Sequence, residues 1–519
     1  MKVCMLVYNN VTRDNRVIRE AETLQAAGHE VHVVGIPDNA VSAPRQVLPS
    51  GVVVHRVEWG AKARRKAILT TPLRVLPLAV VLGLLVWGIW AAMAHLAPVL
   101  RALHLHDWIG IAGVAVVTVV AVIVIVHAVW VRNARELARR DKIMRHGEAL
   151  IESGKLDPRD YPKPRTRLPP WIPDYLLETA LEPLNLISAR ANRFTLWRYR
   201  SQAMADFASG LKPDVVHAHD CNGLPTGVLV KKALGIPLIY DAHEIYEAAA
   251  ARRSGITDYF TRIHRLYTGA VDRFITINRH IALFYRYAYP QLPPAVIIRN
   301  AARRARGIAY DGRLHDAAGL PRTQKILLYQ GGYTKDRGLP MLLRAAASLP
   351  EAWTLVMMGW GPLEPELRAI AAGQANIVFI SAAPREDLEL WTAGATLGIV
   401  PYENTVLNHW FCSPNKLWEY PVAGVPLIVQ PYPVLKTVID EFGCGWVLPD
   451  ESLSAHSIAA LVASLTDADI ARAREGCRAF IQADCWEAAY ATRLIDLYTG
   501  LEKAAKSASD FQAAAMAAQ

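Results

Sequence analysis

The sequence predicts an α/β protein made of two Rossmann-like domains, with a two-helix transmembrane hairpin inserted into the first domain. Three observations lead to this prediction. Short apolar runs alternate repeatedly with helical segments, two long segments near the N-terminus carry no charge, and a chain of 519 residues is too long for a single core. The predicted divisions are 1–72 and 201–300 for the two parts of the N-terminal domain, 73–131 for the hairpin, 132–200 for a basic linker and amphipathic helix, 301–485 for the C-terminal domain, and 486–519 for a final helix and tail.

The composition excludes several classes of protein. Apolar residues make up 52% of the chain and charged residues 20%, which is typical of a globular chain with extra apolar content rather than of a disordered one. Lys and Arg outnumber Asp and Glu by 57 − 47 = 10. Because no zinc-finger or RNA-binding signature is present, we expect lipid and phosphorylated ligands, not nucleic acid, as partners. The six cysteines form no CxxC pair, which favours a reduced, cytosolic setting.

Two uncharged segments predict the membrane hairpin. Val75–Leu100 and Trp108–Val131 contain no Asp, Glu, Lys or Arg, and each exceeds the roughly 20 residues that a helix needs to cross a bilayer. Basic residues, among them Arg65 and Arg132, flank the pair on both sides. The positive-inside rule therefore places the soluble parts in the cytoplasm, on an inner membrane. A buried hairpin in a soluble core is the alternative, but residues 114–126 offer no polar face.

The segment after the hairpin has two interpretations. Lys155–Pro173 is rich in Pro, Arg and Asp and is typical of a linker. Pro173–Ser201 then mixes apolar and aromatic residues with four arginines. We predict either a basic amphipathic helix on the membrane surface or a helix packed on the first domain.

Strands and helices alternate along both soluble halves. Asp14 is the predicted N-cap of a helix that ends near Ala27, with Gly28 after it. Such alternation predicts parallel sheets covered by helices, with ligands beyond the carboxyl ends of the strands. We also predict a final amphipathic helix at Trp486–Lys503 and a frayed tail at Ala504–Gln519. The predicted strands are Lys2–Tyr8, Val31–Gly35, Val215–His219, Leu238–Asp241 and Phe274–Ile277 in the first half, and Ile326–Tyr329, Thr354–Met358, Ile377–Ile380, Leu397–Val400 and Leu427–Val429 in the second.

The segment from Ser413 to Val429 predicts an anion site. Ser413 is expected to cap a helix with Pro414 in its first position, so that free amides, the helix dipole and Lys416 favour a diphosphate. Glu419 lies one turn beyond Lys416, where its carboxylate can accept the hydroxyls of a ribose. The alternative is an ordinary capped helix on which Lys416 and Glu419 pair in solvent. Pro421 is expected to kink the helix.

This segment resembles the donor-binding signature of family-4 glycosyltransferases of the GT-B fold. The resemblance rests on Ser-Pro-Asn-Lys, then Glu-Tyr, then Ala-Gly-Val-Pro, in that order. It extends over both soluble halves. The other matching segments are Asp14-Asn15-Arg16-Val17, Pro213–Asp220, Tyr240–Glu244, Ile298-Arg299-Asn300, Gly331-Gly332, Arg337-Gly338 and Met358–Pro362.

The resemblance implies roles for individual residues. Glu419 would bind the donor ribose and Arg337 the donor phosphates, with Gly332, Ser413, Asn415 and Lys416 completing the donor site. His219 would face the transferred sugar, beside Asp220, His243 and Glu244 as further catalytic or acceptor-orienting candidates, and Asp14 and Arg16 would bind the acceptor. A His at a strand end can hydrogen-bond a sugar or shuttle a proton. The alternative for both histidines is a satisfied structural role.

Two positions depart from the family pattern. Phe411 stands where many members have a first Glu, and Gly331 stands where many have an Arg. Lys416 can replace the missing positive charge. A charge-assisted bond to phosphate contributes roughly 1.5–3 kcal/mol, so losing one weakens binding without abolishing it.

The predicted function is a membrane-anchored transferase that moves a sugar from a nucleotide-sugar donor to a lipid-linked or polysaccharide acceptor of the cell envelope. The resemblance implies retention of anomeric configuration. We expect no cofactor and no metal, because Asp467-Ala468-Asp469 is predicted to begin a solvated helix rather than end a strand. Two alternatives remain, a catalytically inactive GT-B scaffold subunit and a sugar-nucleotide epimerase.

Overall fold

The computed structural model describes residues 1–58 except 13 and 39–42, and then 191–248, 259–305, 307, 309–449 and 453–517. The chain divides into two compact units. One comprises residues 1–56, 211–253 and 263–519, and it contains both sheets. The other comprises residues 57–210 and 254–262, and its described part includes a helix from Ala191 to Gly210.

The first sheet has eight strands in the order β3-β4-β2-β1-β5-β6-β7-β8. Every neighbouring pair is parallel except β3 with β4, at one edge. Its strands are β1 Lys2–Leu6, β2 Glu30–Gly35, β3 Arg45–Val47, β4 Val53–Arg56, β5 Val215–His219, β6 Leu238–Ala242, β7 Arg273–Thr276 and β8 Ala295–Ile297.

The second sheet has six strands in the order β11-β10-β9-β12-β13-β14, all parallel. The predicted architecture of two parallel α/β sheets is thereby confirmed. Its strands are β9 Lys325–Gly332, β10 Trp353–Trp360, β11 Ile377–Ile380, β12 Leu397–Val400, β13 Leu427–Val429 and β14 Gly445–Val447.

Helices join the strands in both sheets. In chain order they are α1 Asn15–Ala26, α2 Ala191–Gly210, α3 Asp220–Leu234, α4 Tyr259–Tyr267, α5 Arg279–Ala288, α6 Arg313–Ala318, α7 Leu339–Ala346, α8 Glu364–Ile370, α9 Leu388–Thr392, α10 Leu407–Trp410, α11 Lys416–Val422, α12 Pro433–Phe442, α13 Ala455–Ser464, α14 Asp467–Ala483 and α15 Ala491–Ala517.

Helix α1 forms for the reasons that the sequence indicates. The Asp14 side chain accepts a hydrogen bond from the Val17 amide at 3.1 Å, as predicted for an N-cap. One face of the helix is buried against the sheet. Gly28, directly after the helix, has φ +89°, a conformation that favours glycine. These contacts fix the helix that carries Arg16 and Glu20.

The end of the chain differs from the prediction. Trp486–Tyr490 forms a π-helical turn, and α15 then continues to Ala517, so the expected frayed tail is helical. The run of alanines explains this, because alanine is the best helix former. The Tyr498 hydroxyl lies 2.9 Å from His217 Nδ1, and Trp486 Nε1 donates to Thr23 Oγ1 at 2.8 Å. The C-terminal helix therefore packs on the N-terminal sheet domain.

Four strands that the sequence did not predict are β3, β4, β8 and β14. Each has only 3 or 4 residues, and three of them lie at sheet edges. The segment Asp467-Ala468-Asp469 starts a helix, as predicted. Thr466 caps α14, and the Asp469 side chain accepts a hydrogen bond from the Thr466 amide, completing a capping box.

The membrane-related predictions concern residues that the structure mostly does not describe. The hairpin at 73–131 and residues 132–190 of the predicted linker and surface helix lie outside the described residues. Residues 191–200 form the first half of α2. Among the residues that are described, no helix has the length and apolar character required to span a bilayer.

Candidate functional site

A cavity of about 510 Å³ opens where the carboxyl ends of the two sheets face each other. The N-terminal wall is formed by residues that follow β6 and β7, including His243, Glu244 and Ile277. The C-terminal wall is formed by the end of β9, the loop after β12 and the start of α11. This is the place where parallel α/β sheets bind ligands.

Two cations on the C-terminal wall lie over aromatic rings. The Arg337 guanidinium is 4.1 Å from the centre of the Tyr402 ring. Lys416 Nζ is 5.8 Å from the same ring and 5.6 Å from that of Tyr329. Among the described ion pairs, none joins Arg337 or Lys416 to a carboxylate. Two cations that line a cavity without a direct ion pair suit an anionic ligand such as a diphosphate.

Gly331 makes room for Lys416. A Cβ atom at position 331 would lie 2.7 Å from Lys416 Nζ, and the backbone there has φ +132°. The lysine therefore occupies the space beside Gly331, the position that departs from the family pattern described above. That Lys416 supplies the missing charge stays a prediction.

Glu419 lies beside the cations without pairing with them. Its Oε2 accepts a hydrogen bond from Gln330 Nε2 at 3.1 Å, and Gln330 Oε1 accepts one from Thr392 Oγ1 at 2.8 Å. The described ion pairs contain none between Glu419 and Lys416, so the alternative of a pair on a solvated face does not hold. The Glu419 carboxylate keeps acceptor capacity toward the cavity that it lines.

The predicted cap of the signature helix was wrong. Helix α11 begins at Lys416 with Asn415 in the N-cap position, and no side chain caps it. Ser413 Oγ is buried without a hydrogen-bond partner. The residues before the helix form a tight turn in which the Leu417 amide donates to the Pro414 carbonyl. Pro421 is the penultimate residue of α11, where the helix is about to end.

The N-terminal wall is an ionic network centred on His243. Its Nδ1 lies 2.9 Å from Asp220 Oδ1, and its Nε2 lies 3.0 Å from Asp241 Oδ2. Burial alone would lower the pKa of His243, but the two carboxylates raise this pKa well above its usual range. Both ring nitrogens are thus occupied, and the imidazolium provides a fixed positive charge rather than a free base.

Arg16 has a role other than the predicted contact with the acceptor. It is only 5% exposed. Its Nε and Nη2 donate to both oxygens of Asp241 at 2.8 and 2.9 Å, and its Nη1 donates to the Ile298 carbonyl. The guanidinium holds the pKa of Asp241 well below its usual range, although burial would raise it. Asp14, the other predicted acceptor ligand, uses its side chain to cap α1 and to accept from Asn9.

His219 lies beneath the N-terminal wall. The side chain is 0% exposed, its ring stacks on His217 at 4.1 Å, and its Nδ1 is 3.3 Å from Asp241 Oδ2. The predicted contact between His219 and the transferred sugar is therefore closed off in this structure. The donor atoms of His217, His219, Asp241 and Glu20 lie within 4.8 Å of one another, which is a possible metal arrangement. Arg16 already compensates both carboxylates there, at 2.8 and 3.1 Å.

Glu244 is the acidic residue of this wall that opens into the cavity. Its side chain is exposed there, and Asn408 Nδ2 lies 3.4 Å from its Oε2. Although Glu244 is exposed to the cavity, the surrounding cleft walls reduce its hydration, and this desolvation and the nearby Asp220 raise the pKa of Glu244. Asp220 is engaged by His243 and by the Tyr246 hydroxyl, and it has φ +60°, which is rare outside glycine.

Several lining residues were not singled out individually from the sequence. Tyr402, Asn408 and His409 all lie in the segment that follows β12, and Gln330 lies at the end of β9. Their position directly after predicted strands was the available signal. Phe411 in the same segment stacks on His280, with ring centres 5.1 Å apart and planes 15° apart. Phe411 thus joins the two walls instead of lining the cavity.

Two family models match consecutive parts of the sequence. The model described as Glycosyltransferase Family 4 matches residues 159–304, and the model described as Glycosyl transferases group 1 matches residues 324–467. Together the two matches span more than half of the chain. Among curated proteins, no significant match to this sequence was found.

Solved structures with the same overall fold cover nearly the whole chain. Sucrose-phosphate synthase from Thermosynechococcus elongatus superposes with a TM-score of 0.60 at 14% identity, over 97% of this chain and 100% of that one. A glycosyltransferase from Rickettsia africae ESF-5 superposes with a TM-score of 0.52 at 10% identity, over 97% of this chain and 98% of that one. WaaG, a glycosyltransferase involved in lipopolysaccharide biosynthesis, superposes with a TM-score of 0.50 at 15% identity, over 97% of this chain and 98% of that one. These likenesses establish the fold, and with the two family matches they show that the chain carries the two domains of a GT-B-type glycosyltransferase.

Proposed function

We propose that this protein is an enzyme that transfers a sugar from a nucleotide-sugar donor to a hydroxyl acceptor. The observation that carries the proposal is the C-terminal wall, where Arg337, Lys416 and the Glu419 carboxylate line one cavity and the two cations form no ion pair among the described residues. A carboxylate suits the ribose of a nucleotide sugar, and the two cations suit its diphosphate. The N-terminal wall, with Glu244 exposed, leaves room for the sugar and the acceptor.

The chemistry that follows is cleavage between the anomeric carbon and the diphosphate. Negative charge develops on the departing diphosphate, and preformed cations at Arg337 and Lys416 stabilise it. Because two cations already face this charge, we propose that transfer requires neither a metal nor another cofactor. Retention of configuration belongs to the proposal through the resemblance to family-4 enzymes.

We further propose that the enzyme is anchored in the inner membrane with its catalytic domains in the cytoplasm. The uncharged segments Val75–Leu100 and Trp108–Val131, with their basic flanks, support this placement. An enzyme held at the membrane meets acceptors that are also held there. A lipid-linked or growing polysaccharide acceptor is therefore the proposed substrate class.

A catalytically inactive scaffold subunit is the second candidate. Phe411 favours it, because this side chain stacks on His280 where relatives present a carboxylate. Gly331 also favours the scaffold, because it stands where the family pattern has an arginine. A scaffold would keep the fold and the membrane segments and would lack affinity for any nucleotide.

The test is thermal unfolding of the detergent-purified protein with UDP, GDP, dTDP, ADP and CMP in turn. A ligand at 100 times its dissociation constant stabilises a fold by about 2.7 kcal/mol, which is a measurable shift. We expect a shift with one nucleotide, which would identify the donor base, and its loss in Glu419→Ala with the fold intact. No shift with any nucleotide would favour the scaffold.

A further inference from the structure

His409 lines the cavity near Arg337, next to a residue that contacts the N-terminal wall. It belongs to the short helix α10, lines the cavity and is 8% exposed. Its ring is 5.6 Å from that of Tyr402, the ring over which Arg337 lies. The preceding residue, Asn408, accepts a hydrogen bond from the Ile245 amide of the opposite wall at 2.9 Å. His409 is thus placed next to the phosphate cations, on the side of the N-terminal domain.

The surroundings of the ring determine which nitrogen carries the proton. His409 Nδ1 lies 3.0 Å from the Glu403 carbonyl oxygen. A carbonyl oxygen can only accept, so Nδ1 must carry the hydrogen. Burial and the nearby Arg337 lower the pKa of His409, which keeps the ring neutral at pH 7. Nε2 then presents a lone pair.

Nε2 is also free to use this lone pair. The contacts of the His409 ring nitrogens within the described part of the chain, from Glu403 and Thr405, both involve Nδ1. Nε2 is not among the buried polar atoms that lack a partner, so it is accessible from the cavity. An accessible, neutral nitrogen acceptor in a ligand cavity suits a hydroxyl group of the ligand.

The neighbours of His409 indicate which part of the ligand this hydroxyl belongs to. Under the proposed function, Glu419 binds the ribose, and Lys416 and Arg337 bind the diphosphate. The group that follows the diphosphate in a nucleotide sugar is the sugar itself, and His409 lies near Arg337 and next to Asn408, which contacts the N-terminal wall. Phe411, the position at which relatives place a carboxylate, cannot serve, because its ring is packed on His280.

We infer that His409 reads the donor sugar by accepting a hydrogen bond from one of its hydroxyls through Nε2. This inference rests on the proposed function and deepens it, because it names the residue that distinguishes a nucleotide sugar from the bare nucleoside diphosphate. It also explains how the site contacts the sugar without the first Glu of the family pattern.

Two variants of His409 test the roles of Nδ1 and Nε2 separately. In His409→Asn the amide nitrogen falls near the Nδ1 position and can still donate to the Glu403 carbonyl, but nothing replaces Nε2. In His409→Gln the amide reaches the Nε2 position and the contact with Glu403 is lost. The matched control is His315→Asn, which changes another buried histidine whose ring nitrogen lies 3.1 Å from a backbone carbonyl oxygen, that of Gln324.

The measurement is the dissociation constant, by calorimetry, of UDP against UDP-glucose, UDP-galactose and UDP-N-acetylglucosamine, and of GDP against GDP-mannose. We expect the wild type to bind one nucleotide sugar more tightly than its nucleoside diphosphate. His409→Asn should raise the dissociation constant of that nucleotide sugar by about 2- to 12-fold, the range for one neutral hydrogen bond. The dissociation constant of the nucleoside diphosphate should be unchanged. His409→Gln should keep most of the difference, and His315→Asn all of it.

The outcomes distinguish this inference from the proposed function. If His409→Asn keeps the full preference for the nucleotide sugar, His409 does not read the sugar, and the proposed transferase stands. The same conclusion follows if the variant weakens binding of the nucleoside diphosphate by the same factor. It also follows if the wild type binds no nucleotide sugar more tightly than its nucleoside diphosphate. If the wild type binds no nucleotide at all, both the inference and the proposed function fail.

Discussion

The two walls of the cavity treat charge in opposite ways. On the N-terminal wall, His243 is held between Asp220 and Asp241, and Asp241 is also held by Arg16. On the C-terminal wall, Arg337 and Lys416 rest on aromatic rings and form no ion pair among the described residues. The first wall pairs its buried charges with one another, whereas the two cations of the second wall line the cavity without an ion pair among the described residues.

From this contrast we expect the charges of the first wall to contribute to stability and those of the second to contribute to binding. A buried ion that loses its partner is costly, so members of the N-terminal network depend on one another for the fold. Removing a cation that lies beside solvent changes the stability of the free protein little. It weakens ligand binding, because the ligand loses a charge-assisted bond. The two walls should therefore respond differently to substitution.

The largest effect is expected for Asp241→Asn. This change removes the charge that Arg16 and His243 share, in a residue that is 0% exposed. Breaking a buried pair costs about 3–5 kcal/mol of unfolding free energy. Urea unfolding measures this loss of unfolding free energy, and Asp311→Asn, in the more exposed pair with Arg313, is the control. A cost below about 1 kcal/mol would contradict the mutual dependence of the network.

Lys416→Met should leave stability nearly unchanged and weaken nucleotide binding. A charge-assisted bond to phosphate contributes about 1.5–3 kcal/mol, so the dissociation constant should rise roughly 10- to 150-fold. Calorimetry with the nucleotide found in the thermal screen measures this change. Lys436→Met, at an exposed lysine paired with Asp440, is the control. If Lys416→Met instead unfolds the protein, the contrast between the walls is wrong.

Gly331→Ala tests the same wall with a smaller change. The added Cβ would displace Lys416 Nζ, and the positive φ adds strain of about 1–3 kcal/mol. We expect weaker nucleotide binding than in the wild type, but a smaller loss than in Lys416→Met, because the lysine can shift. In the double variant, Gly331→Ala should add no further loss of affinity. Additive losses would show that the two positions act independently.

The smallest effect concerns Glu244, the carboxylate that the N-terminal network leaves open. Because its pKa is raised in the folded protein, the folded state holds more protons than the unfolded state as pH rises past the ordinary Glu value. Stability therefore falls as pH rises through the folded pKa. Glu244→Gln should raise the melting temperature slightly at pH 7.5 and leave it unchanged at pH 4. An equal shift at both pH values, or one in the control Glu366→Gln, would count against this assignment.

Sequence patterns located the fold well and the site in part. Ten predicted strands are present, because buried parallel strands are continuous apolar runs. The missed strands β3, β8 and β14 lie at sheet edges, where three residues carry too little pattern. The candidate donor residues Ser413, Asn415, Lys416 and Glu419 were predicted together because they lie within one local motif. Tyr402 and His409 were not singled out individually, because aromatic and polar residues in a loop are compatible with many roles.

Linear patterns were sufficient to predict the alternation of strands and helices, the motif order of the family, and the candidate residues at each strand end. These properties depend on neighbours in the chain, which a linear pattern records. Three facts required the folded chain: Arg16 reaches Asp241 across 225 residues, His219 is covered, and Lys416 occupies the space beside Gly331. Burial and ion pairing depend on neighbours in space, and these settle whether a charged side chain serves the fold or faces a ligand.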